Sequence, residues 1–166
     1  LQSGSDSVLK RMARRCNTSD FAGLVQQARE SIPDFNVTTD IIVGFPGETE
    51  AEWKAGYDFV GSVGFGHTHV FSFSPRHGTK AATLPDQVSH DVIKRRVTQL
   101  QELAEQMKQD YVSQQRGRDF DVLLEERVDS LEGGHYRYSG YTPNYIRVTL
   151  ESDREGMGNS IISQRI

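Results

Sequence analysis

The sequence predicts an α/β region over residues 1–116 followed by a small all-β domain over residues 117–166. Helix-type and strand-type patterns alternate along the first region with short loops between them, which is typical of parallel strands joined by right-handed crossovers. The second region contains short alternating segments separated by Gly, Ser, Asn and Asp, a pattern that indicates antiparallel β-structure. We therefore expect two domains.

The composition is that of a globular chain able to bury a core, with 166 residues of which 36% are hydrophobic and 25% charged. No apolar run approaches the roughly 20 residues that span a bilayer, so a membrane role is not expected. The net charge of −4 argues against a generally basic nucleic-acid binder, and any RNA contact would be local. The single cysteine, Cys16, excludes an intrachain disulfide and fits a reducing cytoplasm.

The first helix and strand are marked by a cap and by an uninterrupted apolar run. Thr18 or Ser19 is expected to cap a helix that ends at Pro33. The segment VTTDIIVGF then carries an apolar run at residues 41–43, which is typical of a parallel strand covered on both faces. The sharp turn FPGE follows at once.

A second helix and strand and one long helix complete the first region. Thr49 and Glu52 have the spacing of a capping box, which predicts a helix start. The segment HTHVFSFS, residues 67–74, predicts another strand. From Ser89 to about Arg116 the apolar residues are spaced by four and three, which predicts a helix whose narrow stripe packs on its own domain; a coiled-coil dimer is the alternative.

The segment GFPGET invites comparison with a phosphate-binding loop. The Walker pattern requires a second glycine, a lysine and a Ser/Thr at fixed offsets, and residues 44–49 contain no lysine. What remains is a strand that opens through Gly44 and Gly47 into a helix N-terminus, where backbone amides can approach a ligand closely. A ligand-binding turn and a purely structural αβ turn are both compatible with this pattern.

Three segments occur in a fixed order, LQSGSDSVLKRMARR, TTDIIVGFPGE and HVFSFSPRHGT, and GYTPNYIRV follows near the end. Together they resemble the radical S-adenosylmethionine (SAM) methylthiotransferases over nearly the whole chain, and most of all the branch that acts on N6-threonylcarbamoyladenosine in tRNA. The resemblance implies that residues 1–116 are the C-terminal part of a partial TIM-type (β/α)6 radical SAM barrel. It implies that residues 117–166 are a TRAM domain, a small OB-like barrel.

By the same resemblance, the full-length enzyme uses SAM and two 4Fe–4S clusters to add a methylthio group to C2 of the modified adenosine. The family holds these clusters with two sets of cysteines, and Cys16 alone cannot replace them. We therefore expect this chain to be an inactive fragment that holds no catalytic residue, metal or cofactor by itself. A ribosomal-protein methylthiotransferase of the same family and a non-catalytic RNA-binding module are the alternatives.

The resemblance assigns residues at the strand ends to SAM. Polar side chains at the first strand end would contact its ribose and methionine moieties, and apolar residues at the second would lie along its adenine. Helix capping is the alternative for Ser5, a solvated surface position for Arg14, and plain strand core for Ile42 and Val43. The expected cofactor contacts are Gln2, Ser3, Ser5, Arg14, Ile42, Val43, Gly44, Phe71 and Ser72.

Substrate contacts are expected in both regions. Arg76, in the turn after residues 67–74, is placed for an anionic group. His67 and His69 share a strand face, but no matching carboxylate is evident in the sequence and a metal site is not expected. In the second domain, Tyr rings suit base stacking and Arg suits phosphate, although about half of these residues are expected in the core. The expected RNA contacts are Arg137, Tyr141, Asn144, Tyr145 and Arg147.

The expected partners are tRNA and a second copy of the chain. A barrel that lacks half its strands exposes a strand edge and an apolar inner face. We therefore expect copies of the chain to pair through Leu1 and the edge of the strand at residues 38–44.

Overall fold

The computed structural model describes every residue from Leu1 to Ile166 and divides them into two compact units. Unit 1 is Leu1–Tyr111 and unit 2 is Val112–Ile166, so the division falls inside the last helix, slightly before the expected boundary after residue 116. Helices and sheets are both present, which confirms the mixed α/β class in its coarse form. None of the helices combines the length and the apolar character needed to cross a membrane.

Unit 1 alternates helices with two strands. The strands pair in parallel, with Thr38 opposite His67 and Val43 opposite Ser72. Its elements are α1 (Asp6–Arg11), α2 (Thr18–Ser31), β1 (Thr38–Val43), α3 (Glu50–Val63), β2 (His67–Ser72), a 3-10 turn (Lys80–Thr83) and α4 (His90–Gln115), whose last residues belong to unit 2.

The first residues of the chain run beside β1. The backbone N–H of Ile42 donates to the carbonyl oxygen of Gln2 at 3.0 Å, and the hydroxyl of Thr39 donates to the carbonyl oxygen of Leu1 at 2.8 Å. This edge of β1 is therefore already hydrogen-bonded within the chain. Pairing between copies through this edge stays a prediction.

The two predicted helix starts have different outcomes. The capping box at the start of α3 is confirmed, because Thr49 Oγ1 accepts from the N–H of Glu52 while the Glu52 carboxylate accepts from the N–H of Thr49. The predicted cap of α2, Thr18 or Ser19, was wrong by one or two residues. Asn17 occupies the cap position, and its side-chain oxygen accepts from the N–H of Asp20 at 2.8 Å.

The core of unit 1 lies between the sheet and the helices. Ile41 and Val43 of β1 point into it, and the α4 stripe contributes Leu100, Ala104 and Met107. The long helix therefore packs on its own unit, as its stripe predicted. The other buried members are Val25, Val37, Trp53, Val60, Val63 and Phe65.

Unit 2 is a four-stranded antiparallel sheet in the order β5-β4-β3-β6. Tyr138, Val122 and Leu124 are almost completely buried in its small core, together with Phe120. Gly140 allows the backbones of β4 and β3 to approach each other closely, because a Cβ at this position would overlap the carbonyl oxygen of Leu123. The strands are β3 (Asp119–Ser130), β4 (Tyr136–Tyr141), β5 (Arg147–Ser152) and β6 (Ser160–Arg165), with a 3-10 turn at Glu132–Gly134.

Candidate cofactor and RNA sites

The predicted cofactor segments lie at one edge of the unit 1 sheet. Residues 1–3, β1 and β2 run parallel, so their carboxyl-terminal ends point the same way. The segments QSGS, GFPGE and SPRHGT lie at these carboxyl-terminal ends. In open or barrel-shaped parallel sheets this edge is where ligands bind.

The first segment, QSGS, is held tightly against α3. Gly4 meets the backbone of Gly56 so closely that a Cβ on Gly4 would overlap the Gly56 carbonyl oxygen. Ser3 and Ser5 are buried, and Ser3 Oγ accepts from the N–H of Ser5 at 3.2 Å. Ser5 precedes α1 at the cap position, but its hydroxyl lies 3.0 Å from that of Ser7 and makes no cap bond. These polar groups support the shape of the turn.

The second segment, GFPGE, closes on itself through a buried carboxylate. Glu48 Oε2 accepts from the N–H of Gly44 and from an N–H of Arg96, each at 2.9 Å. The Glu48 and Arg96 side chains are only 4% and 3% exposed. Burial raises the pKa of the Glu48 carboxyl, while the Gly44 N–H and the Arg96 guanidinium oppose that shift.

Arg96 joins this loop to the neighbouring helix. Its second terminal nitrogen donates to Glu50 Oε2 at 2.9 Å, and its guanidinium carbon lies 5.5 Å from the centre of the Trp53 ring. A Cβ on Gly44 would overlap the side chain of Ile93. The N–H of Gly44 donates to Glu48, and the Cα of Gly44 faces Ile93 of α4. These contacts of Gly44 are those of a structural turn.

Sequence reasoning missed the pairing of Glu48 with Arg96. The signal was present in α4, where Arg96 lies between Ile93 and Leu100 on the apolar stripe and is three and four residues from them. A charged side chain at such a position is rarely buried without a partner.

A second carboxylate fixes α1 against α3. The guanidinium of Arg11 donates to both oxygens of Glu52, at 2.9 Å and 2.7 Å, and Ser7 donates a further hydrogen bond. The Arg11 hydrogen bond is the main cause that lowers the pKa of Glu52 to about 2. Glu52 thus serves the capping box and the α1 contact together.

The register of β1 and β2 decides which predicted residues share a face. Ile42 lies opposite Phe71, which is 52% exposed, and the strand alternation places both on the face away from the helices. Gln2 is next to Ile42 through its backbone hydrogen bond. Val43 and Ser72 are opposite each other on the other face, where Val43 has no exposed surface. The structure therefore brings together Ile42 and Phe71, and Gln2 contacts β1 through its backbone carbonyl oxygen.

The same register reveals a carboxylate that the sequence pattern concealed. Asp40 lies opposite His69 in the ladder, and the ring centres of His67 and His69 are 4.3 Å apart. Burial is the main cause that lowers the pKa of His67. No cluster of three or more potential metal ligands occurs in the chain.

Arg14 and Arg76 lie in two different loops. Arg14 is in the segment between α1 and α2, and Arg76 is in the turn after β2; both are exposed and neither makes an ion pair. Near the second loop, the rings of Phe45 and Phe73 pack edge to face with centres 5.3 Å apart. The two arginines are thus free to bind an anion at the surface.

The predicted RNA residues of unit 2 fall into two groups. Arg137 binds Glu151 at 2.8 Å, and Asn144 is buried, where its side-chain oxygen accepts from Thr142 within the turn before β5. Tyr145 is 80% exposed, and its ring centre lies 6.5 Å from that of Tyr141. Arg147 is also exposed. The second group, Tyr141, Tyr145 and Arg147, is available for stacking and phosphate contact.

Comparison with known proteins finds relatives along nearly the whole chain. Residues 1–60 match the radical SAM superfamily. The chain is 37% identical over 161 residues to the threonylcarbamoyladenosine tRNA methylthiotransferase MtaB of Bacillus subtilis (strain 168), and 40% identical over 161 residues to the protein of the same name from Thermotoga maritima. The chain belongs to the radical SAM methylthiotransferase family.

A second group of relatives acts on another modified adenosine. The chain is 40% identical over 140 residues to the tRNA-2-methylthio-N(6)-dimethylallyladenosine synthase of Thermobifida fusca (strain YX), which corresponds to 84% of this chain. The two MtaB alignments cover 97% of it. The chain spans about a third of the length of these relatives, 36% for the MtaB proteins and 28% for the synthase.

Membership of this family implies SAM and iron–sulfur clusters in the full-length enzyme. The apolar pair formed by the exposed Phe71 and the partly buried Ile42 opposite it fits the flat adenine of SAM. The residues of this chain do not fit a cluster, because 4Fe–4S centres are held by several cysteine thiolates and Cys16 is alone and exposed.

Proposed function

We propose that this chain is part of a cytoplasmic enzyme that adds a methylthio group to C2 of N6-threonylcarbamoyladenosine in tRNA. The observation that carries the proposal is the 37% and 40% identity to two proteins named for that activity, each over 97% of this chain. The dimethylallyladenosine synthases match with similar identity but over a smaller share, such as 84%. That difference favours the threonylcarbamoyl substrate.

In this proposal unit 1 is the later part of the radical SAM barrel and unit 2 is the TRAM domain. SAM, when bound, supplies the methyl group and the radical that removes hydrogen from the adenine. The ligands of the two 4Fe–4S clusters would lie outside these 166 residues, since the chain has a single cysteine.

The residues of unit 1 would hold the adenosyl group by shape. Ile42 and Phe71 present an apolar surface near the carboxyl ends of β1 and β2, and the backbone of Gln2 runs beside Ile42. The buried Glu48 and Arg96 pair would keep the GFPGE turn in one conformation and so keep the end of β1 in place.

Arg76 would distinguish the two tRNA substrates. The threonylcarbamoyl group carries a carboxylate, whereas the dimethylallyl group is apolar and uncharged. An exposed guanidinium without an ion-pair partner, in the turn after β2, suits that carboxylate because it can bind both oxygens.

Deletion of the gene tests the proposed activity. We expect the 2-methylthio derivative of N6-threonylcarbamoyladenosine to disappear from digested tRNA, as measured by liquid chromatography and mass spectrometry, and the unmethylthiolated nucleoside to accumulate. Loss of the dimethylallyl derivative would assign the other tRNA substrate. A change in a ribosomal protein with intact tRNA would assign the protein-modifying activity, and no change at all would leave an RNA-binding module.

Complementation of the deletion tests Arg76. The full-length gene with Arg76→Gln should restore much less product than the wild type, because the carboxylate of the substrate loses its charged partner. Lys54→Gln is the matched control, since Lys54 is exposed on α3 and pairs only with Asp58. Equal restoration by both variants would remove Arg76 from the substrate site.

A further inference from the structure

Three side chains that can bind or orient a metal ion lie on one face of the unit 1 sheet. His67 and His69 are two residues apart on β2, so the strand alternation places both side chains on the same face. Asp40 of β1 lies opposite His69 in the parallel ladder and therefore shares that face. Only the tertiary structure brings this carboxylate to the histidines, because it comes from a different strand.

The two imidazole rings lean toward each other. Two residues along a strand advance by about 6.6 Å, yet the ring centres of His67 and His69 are only 4.3 Å apart. A Zn²⁺ ion bound about 2.0 Å from each nitrogen of a tetrahedral site holds two nitrogens about 3.3 Å apart. Rotation of the exposed His69 about its side-chain bonds brings one nitrogen of each ring to that separation.

The polar groups of these side chains are not used elsewhere in the chain. His67, His69 and Asp40 make no side-chain hydrogen bond or ion pair. His69 and Asp40 are exposed and His67 is half-buried, so an ion from solvent can reach all three. The face therefore offers two unoccupied imidazoles and one unpaired carboxylate.

Asp40 is placed to orient a histidine rather than to bind the ion. The three side chains do not form a three-ligand group. A histidine that binds a metal through one ring nitrogen commonly donates its other N–H to a carboxylate, which fixes the ring and makes it more basic. Neighbouring strands lie about 4.8 Å apart, so the Asp40 carboxylate is within reach of the His69 ring. Water completes the coordination of the ion.

The ligand type indicates which ion fits. Imidazole nitrogens suit Zn²⁺, Cu²⁺ and Ni²⁺, whereas Mg²⁺ and Ca²⁺ prefer oxygen ligands. Two imidazoles do not replace the thiolates of a 4Fe–4S cluster. An ion bound here is therefore distinct from the clusters that the family implies.

We propose that His67 and His69 together bind one divalent transition-metal ion such as Zn²⁺ on the exposed face of β1 and β2, and that Asp40 positions His69. The proposal departs from the expectation that this chain holds no metal, which followed from a local pattern without a matching carboxylate. It does not rest on the proposed methylthiotransferase function, and the result of the gene deletion leaves it unaffected.

Titration of the 166-residue chain with ZnCl₂ in a non-chelating buffer, followed by isothermal calorimetry, tests the site. We expect one ion per chain. Asp40→Asn should weaken binding by about tenfold, as for loss of an outer carboxylate, and His69→Gln by about a hundredfold, because a direct ligand is lost. His77→Gln, at an exposed histidine in the turn after β2, is the matched control and should bind Zn²⁺ like the wild type.

Two further measurements identify the ligands. Electron paramagnetic resonance of bound Cu²⁺ should show coupling to two imidazole nitrogens in the wild type and to one in His67→Gln. Thr38 is exposed and lies opposite His67 in the ladder. Thr38→His would add a third imidazole to the same face and should tighten Zn²⁺ binding by about tenfold or more.

Five results would overturn the proposal, once circular dichroism has established that each variant is folded. The first is Zn²⁺ binding by the wild type no tighter than Mg²⁺ binding. The second and third are wild-type affinity in His69→Gln and an equal loss in His77→Gln, which would each place the ion elsewhere. The fourth is coupling of Cu²⁺ to a single nitrogen in the wild type, and the fifth is unchanged affinity in Thr38→His.

Discussion

In unit 1 the charged side chains around the GFPGE turn and the start of α3 bind one another, whereas in unit 2 Arg116, Arg147 and Arg165 are exposed and make no ion pair. Glu48 and Arg96 are both almost fully buried, and Glu52 holds Arg11 at the surface. The difference teaches that the buried charges at this turn stabilise its shape, while an exposed arginine without a partner remains available to a ligand.

Arg96→Met should have the largest effect on stability. It leaves the Glu48 carboxylate buried without its cation, and removal of one member of a buried pair costs about 3 kcal/mol or more. Urea unfolding monitored by Trp53 fluorescence measures the change. The double variant Glu48→Leu with Arg96→Met should regain part of the loss, because no charge then remains buried alone.

The control for this prediction is the neighbouring Arg95→Met. Arg95 is exposed and binds only Glu50, so the free energy of unfolding of the Arg95→Met variant should differ little from that of the wild type. If the two single variants were destabilised equally, the burial of the Glu48 and Arg96 pair would not be what stabilises the turn.

Gly4→Ala should have the next largest effect. The new methyl group would overlap the Gly56 carbonyl oxygen, and relief of such an overlap costs about 1–3 kcal/mol. Thermal unfolding is the measurement. Gly23→Ala in α2 is the matched control, because nothing lies within 4 Å of its Cβ and alanine favours the helix. A Gly4→Ala protein as stable as Gly23→Ala would disprove the tight contact.

Glu52→Gln should change the pH dependence of stability by a smaller amount. The pKa of Glu52 is lowered to about 2 in the folded state, so its contribution is fully present above the ordinary value of 4.5 and is lost as the pH falls toward 2. The melting temperature of the wild type should drop across that window. The Glu52→Gln variant should lack this part of the drop. A dependence of its melting temperature on pH equal to that of the wild type would contradict the prediction.

Arg137→Gln should have the smallest effect. Arg137 binds Glu151 at the surface, which raises the pKa of its guanidinium, and exposed pairs of this kind contribute little to stability. Because this arginine already has a partner, RNA affinity should fall less than in Arg147→Gln. A larger fall than in Arg147→Gln would place the main phosphate contact on β4 and reverse the comparison between paired and unpaired arginines.

Local patterns predicted the helices and strands well because their causes lie within a few residues. The capping box of Thr49 and Glu52 depends on a separation of three residues and was found in the sequence. The cap of α2 was misplaced because Asn17, Thr18 and Ser19 are all good cap residues and adjacent. The stacking role of Tyr141 and Tyr145 stays a prediction from residue type.

Contacts between distant segments were less predictable. The sequence indicated that GFPGE was either a ligand-binding or a structural turn, and the choice depended on Arg96, which is 48 residues from Glu48. The sequence also left open which of Ile42 and Val43 faces the helices, because an uninterrupted apolar run shows no alternation between the two faces of a strand.

The sequence by itself determined the family, the order of helices and strands, and the residue types at the strand ends, because these depend on composition, local spacing and recognisable segments. Only the tertiary structure decided which charges are paired. An ion pair depends on distances of a few ångströms between residues far apart in the chain, and burial then changes its energy severalfold. Arg96 and Arg165 are the same type of residue, yet Arg96 is buried against Glu48 whereas Arg165 is exposed and makes no ion pair.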